Sequence, residues 1–135
     1  MPNEYTPKIG GKYYLPKETY LTVMHYCRQY PLWLQMLDIE FDARHGIAYD
    51  HDKVMSSNGS DSTSTLGIRR AEASKKKDII EDVAKNTANG MSTWLILGCC
   101  YNMTYIQLKT YGIPCGKDLY YKLRRKFYYE MSKKI

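Results

Sequence analysis

No stretch of this 135-residue chain approaches 18 uncharged apolar residues, which excludes a membrane-spanning helix. Met1-Pro2-Asn3-Glu4 lacks the basic n-region and apolar h-region of a secretory signal, so a cytoplasmic protein with reduced thiols is expected. None of the four cysteines, Cys27, Cys99, Cys100 and Cys115, belongs to a C-x-x-C pair. A zinc site joining Cys27 or Cys115 to His25, His45 or His51 lacks the usual ligand spacing, and small buried hydrophobes are the plainer reading. The chain also lacks a phosphate loop, a nucleophile motif and a paired-carboxylate arrangement. Asp50-His51-Asp52 alone has metal-like chemistry, and its polar setting reads as a loop. These absences predict no enzyme, no metal and no cofactor.

Phenylalanine is scarce, with 2 Phe against 14 Tyr, so most rings must pack on one side and hydrogen-bond on the other. Apolar residues make up 44% of the chain, enough for one small core. Acidic residues are scarce in one place only. The net charge is +6, from 20 basic and 14 acidic residues. Residues 109–135 hold eight basic residues and two acidic ones, Asp118 and Glu130, so the whole excess lies there. That segment also has five tyrosines. Basic residues interleaved with aromatics point to nucleic acid or another acidic surface, and a solvated Lys-rich helix face has the same composition.

The pattern predicts a mostly helical chain in three parts: an N-terminal helical segment over 1–44, a polar linker over 45–66 and a helical domain over 67–135. Residues 1–14 read as an arm. Pro16 suits a helix start, and Tyr20, Leu21, Met24 and Cys27 recur at helical spacing. Pro31 either kinks that helix or opens a second one after Tyr30; together the pieces should span about 16–43. Ser56 to Thr65 has almost no apolar content and reads as a mobile linker. Ile68, Ala71, Ile79, Ile80, Val83 and Ala84 then mark one face of an amphipathic helix. Met91 to Tyr101 is nearly all apolar and should be buried on several sides. No β-alternation competes, so the fold class is all-α.

The last thirty residues carry the functional pattern. Thr104 can cap a short helix, Gly112 can end it in the left-handed conformation, and Pro114 pushes Ile113 toward extended geometry. A short helix, a tight turn and a longer basic helix make a helix-turn-helix; an ordinary helical hairpin is the plainer alternative. At 100° per residue, Leu119, Tyr120, Leu123, Phe127 and Met131 share the packing face. Lys117, Asp118, Tyr121, Lys122, Arg125, Tyr128 and Tyr129 point away. The first two turns of a recognition helix enter the major groove, which selects Lys117, Asp118, Tyr121, Lys122 and Arg125 as base readers. Arg124, Lys126, Lys109 and the tyrosine hydroxyls would hold phosphates. Burial of Tyr128 and Tyr129 against the N-terminal helices is an equal alternative.

Several pieces together resemble a family of small phage and prophage proteins from clostridia and related Gram-positive bacteria. They are Leu15-Pro16-Lys17, Tyr30-Pro31-Leu32-Trp33, the polar linker leading into Gly67-Ile68-Arg69-Arg70-Ala71-Glu72, and, most specifically, Ile113 to Tyr129. The ending is similar to ArpU- and RinA-type late-gene regulators, whose C-terminal half looks like region 4 of sigma factors. The resemblance implies a sigma-region-4-like helix-turn-helix that controls transcription on double-stranded DNA in the bacterial host cytoplasm. Gly116 stands where Ser is common in that pattern, which removes one phosphate-binding hydroxyl. The alternative is a phage-encoded interaction module or inhibitor whose same basic block engages host machinery, such as RNA polymerase or a defence nuclease. A homodimer is left open.

Overall fold

The computed structural model describes residues 11–42, 47–50 and 63–135. Among them the chain is mostly helical: α1 (Lys17–Arg28), α2 (Tyr30–Leu37), α3 (Thr63–Thr87), α4 (Ser92–Cys99), α5 (Tyr105–Thr110) and α6 (Lys117–Ser132). Two short strands, β1 (Ile39–Asp42) and β2 (Ile47–Asp50), form an antiparallel pair with Ile39 opposite Asp50 and Asp42 opposite Ile47. None of the helices among the described residues is long and apolar enough to cross a membrane.

Pro31 opens a new helix rather than kinking an old one. A single residue, Gln29, separates α1 from α2, and Pro31 sits in the first turn of α2, where its missing amide costs nothing. The helical segment is shorter than the sequence pattern suggests. Asp38 adopts a left-handed conformation (φ 59°) that ends α2, and the Arg70 side chain donates to the Leu37 carbonyl. The chain then turns extended, which corrects the expectation of helix as far as 43 and of no strand. Ile39-Glu40-Phe41 alternates for only three residues, too few to stand out in the sequence; pairing with residues 47–50 makes it a strand. Residues 47–50 and 63–66 are likewise strand and helix, although they fall in the expected linker. Ser56 to Ser62, His45 and the His51-Asp52 part of the acidic cluster lie outside the described residues.

One buried cluster draws on α1, α2, α3, α4 and α6: Tyr20, Val23, Cys27, Tyr30, Trp33, Leu34, Ile80, Val83, Ala84, Leu95, Ile96, Cys99, Cys100, Phe127, Tyr128 and Met131. The apolar helix α4 lies inside it. Polar groups tie its edges. The buried Tyr30 hydroxyl donates to Glu81 Oε2 at 2.7 Å, and Lys77 Nζ reaches Glu81 Oε1 at 3.1 Å and Asp78 at 2.8 Å. This joins α2 to α3 at a point where an unpaired hydroxyl would be costly. The stripe on α3 begins later than its sequence pattern implies, because residues 65–72, Ile68 and Ala71 included, are exposed.

The thiols behave as the composition implies. Cys27, Cys99 and Cys100 are buried, whereas Cys115 is half-buried. Burial pushes the Cys99 thiol up to about 12, and burial together with the Cys27 thiol raises Cys100. A thiol reagent at pH 8 should therefore modify Cys115 first. The other three should react at least about a hundredfold more slowly, at the rate of global opening; equal rates for all four would contradict the packing. The shift also sets an alkaline limit. Below pH 9 the protonated Cys99 contributes fully. As the pH rises from 9 toward 12, the unfolded thiol ionises and the folded one does not. Melting temperatures followed by circular dichroism should fall over that window.

Candidate nucleic-acid interface

Local chemistry builds the unit that carries the excess positive charge. Thr104 caps α5: its hydroxyl accepts from the Gln107 amide at 3.2 Å, and Gln107 Oε1 accepts from the Thr104 amide at 2.9 Å. This reciprocal box satisfies two amides that a six-residue helix would otherwise leave to solvent. The helix ends on Gly112 (φ +97°), with Gly112 N donating to Lys109 O at 3.0 Å and Ile113 N to Leu108 O at 3.1 Å. That is the paired bonding of a Schellman turn, and it drives Ile113 into the apolar cluster with Leu108 and Tyr120. The Tyr105 hydroxyl then donates to the Cys115 carbonyl at 2.8 Å, clamping the start of α5 to the end of the turn. Gly116 is the N-cap of α6 without a side-chain cap, and Asp118 supplies a favourable charge to its first turn.

The buried face of α6 consists of Tyr120, Arg124, Phe127, Tyr128 and Met131. The sequence pattern places Leu119, Tyr120, Leu123, Phe127 and Met131 there, so the helix is turned by about 55° from that expectation at 100° per residue. Leu119 comes out to the surface, while Arg124 and Tyr128 go in. The cause is tertiary. The Tyr128 ring packs edge-on against Tyr20 of α1 at 5.2 Å, and the Arg124 guanidinium lies 5.5 Å from the Tyr128 ring and 5.9 Å from the Tyr121 ring. Arg124 also hydrogen-bonds with Tyr128, and both are hydrogen-bonded with Cys99 of α4. Burial leads the rise of the Tyr128 hydroxyl above its ordinary value, with Cys99 adding to it. Arg124, 5% exposed, is a core cation held by two rings, the Tyr128 hydroxyl and the Cys99 thiol, which takes it out of the expected set of phosphate contacts.

The other expected site residues divide by position. Lys109 on α5 and Lys117, Asp118 and Lys122 on α6 are exposed. Tyr121, Arg125, Lys126 and Tyr129 are half-buried. Lys122, Arg125 and Lys126 share the outward arc with Asp118, its one acidic member in the first three turns. Tyr129 lies farther along, where Tyr13 packs on it at 5.6 Å and Lys133 sits 4.7 Å from its ring. The alternative of burial against N-terminal residues therefore describes Tyr128 and, in part, Tyr129. Three exposed apolar side chains escaped the sequence reading: Ile106 (76%), Tyr111 (71%) and Leu119 (48%). They belong to α5, the turn and the first turn of α6. Periodicity had put Leu119 inside, so nothing in the pattern marked it.

Among the described residues, no group of three His, Cys, Asp or Glu side chains could hold a metal ion. His25 is exposed and Cys27 buried on the same helix. No protein-family model matches the chain, and no curated protein or solved structure does.

Proposed function

We propose that the protein is a DNA-binding transcriptional regulator of the phage and prophage type, with α5, its glycine turn and α6 acting as a helix-turn-helix. One observation carries the reading. Lys122, Arg125 and Lys126 share one arc of α6 with a single carboxylate, Asp118, and the exposed Lys117 at the helix start and Lys109 on α5 add two further cations. A helix with a predominantly basic face suits the major groove of a polyanion. Lys117, Asp118, Tyr121, Lys122 and Arg125 then face base edges, and Lys109 and Lys126 hold phosphates. Arg124 and Tyr128 support this face from inside.

Binding to duplex DNA should lose affinity with a log–log salt slope of about −2, from the two phosphates that Lys109 and Lys126 would neutralise at roughly 0.9 each. Arg125→Ala should cost about 1–3 kcal/mol on the preferred duplex and relax preference at one base pair. Lys126→Ala should weaken all sequences alike and reduce the slope by about one. Retained binding with a slope near zero would rule out groove docking.

A second reading is favoured by the exposed Ile106, Tyr111 and Leu119. Exposed apolar groups rimmed by charge suit a protein surface, and host RNA polymerase or a defence nuclease would be the partner. Co-purification of a host protein, lost on Arg125→Ala while duplex binding is unchanged, would select it.

A further inference from the structure

We propose that Leu119 is a specificity-determining residue that contacts the C5 methyl group of a thymine in the major groove. The inference rests on the DNA-binding reading and names a feature of the sequence that the site selects. Leu119 is the third residue of α6, within the turn that enters deepest in groove docking, and about half its surface is open. Its surroundings define what can cover it. Lys122 is its i+3 neighbour, and Lys126, seven residues on, lies about 20° away around the helix. Arg125, six residues on, lies about 120° away, on the far side of Lys122. An apolar side chain flanked by two lysines fits a partner that is anionic overall and offers an apolar spot between its charges. Duplex DNA presents one such group in the major groove, the thymine methyl, beside acceptors that Lys and Arg can reach on neighbouring pairs. Leu119 is not needed to close the core, because Tyr120 and Phe127 fill that side of α6 and Tyr120 is fully buried.

The test uses the full chain. Duplexes selected from a random pool give the preferred site, and each thymine in turn is replaced by deoxyuridine, which removes the methyl and nothing else. For the wild type, one such position in the site should lower affinity about three- to tenfold. Leu119→Ala should lose a similar factor on the thymine duplex and be indifferent to deoxyuridine at that position. Leu119→Gln, which keeps the length without the apolar end, should behave like Leu119→Ala, and both should keep the wild-type helical signal. Wild-type indifference to every deoxyuridine, or a Leu119→Ala variant as sensitive as wild type, overturns the inference while leaving DNA binding in place. Failure to retain any duplex overturns the DNA-binding reading as well. Loss of host-protein capture on Leu119→Ala, with duplex affinity unchanged, overturns the inference and assigns the side chain to a protein surface.

Discussion

Gly98→Ala should destabilise the protein by about 3 kcal/mol, the upper part of the range for forcing an atom into a packed core. A Cβ built on Gly98 would overlap the Tyr120 hydroxyl and crowd the ring carbon that bears it. Neither side can yield cheaply. Gly98 lies within the buried helix α4, and Tyr120 is fully buried between α4, Tyr105 at 5.7 Å and Tyr121 at 5.1 Å. The Tyr120 hydroxyl is also buried without a hydrogen-bond partner, and burial leads the rise of its ionisation well above the ordinary range. Tyr120→Phe should therefore stabilise by about 1 kcal/mol, since it removes an unpaired buried oxygen. The double variant should recover much of the loss, with a coupling energy of about 1–2 kcal/mol between two residues in contact. Urea denaturation of the four proteins measures all these terms. A Gly98→Ala variant within about 0.5 kcal/mol of wild type would show that α4 and α6 are not pressed together at this point. This contact sets how close α6 sits to the core, and so the depth at which its outward arc is presented.

Arg124→Ala should cost about 2–4 kcal/mol of stability, while the folded variant keeps wild-type affinity for DNA and an unchanged salt slope. Truncation removes a long packed stem and leaves the Tyr128 hydroxyl and Cys99 without the guanidinium. Arg124→Met retains much of the apolar volume and should lose clearly less. Lys126→Ala should show the opposite pattern, with stability within about 0.5 kcal/mol of wild type and a shallower salt slope. If Arg124→Ala reduced the slope by a full unit at unchanged stability, its guanidinium would be reaching phosphate and α6 would be turning that residue outward.

Arg124 shows where sequence reasoning stops for this molecule. Its neighbours Arg125 and Lys126 have the same charge, and no local rule separates one from another. Helical period alone places five residues on a face, but it cannot say which sector of the helix meets the core. The usual guide is that apolar residues go in and charged ones out. In a chain with 14 tyrosines that guide weakens, because a tyrosine serves either side. Here Tyr20 and Cys99, over a hundred and about twenty-five residues before Tyr128 and Arg124, form the pocket that draws both inward. Leu119 is exposed as the consequence.

Other features were legible because their causes are local. The placement of charge at the C-terminus needs only counting. Helix punctuation by Pro16, Pro31, Thr104 and Gly112 follows from the amide that proline lacks, the hydroxyl that accepts from Gln107, and the positive φ that glycine tolerates. The burial of α4 follows from a run too apolar to face water. What the sequence by itself determined was thus the largely helical character, most of the helix starts and stops, and a basic, tyrosine-rich last helix. Tertiary structure alone decided that Ile39–Asp42 is a strand, since a four-residue strand exists only when a partner supplies its hydrogen bonds. It decided that α1 and α2 share one core with α3, α4 and α6. It also decided which basic residues of α6 face solvent, because the rotation of a helix about its own axis is set by the shape and chemistry of the surface it packs against, and here that surface comes from distant parts of the chain.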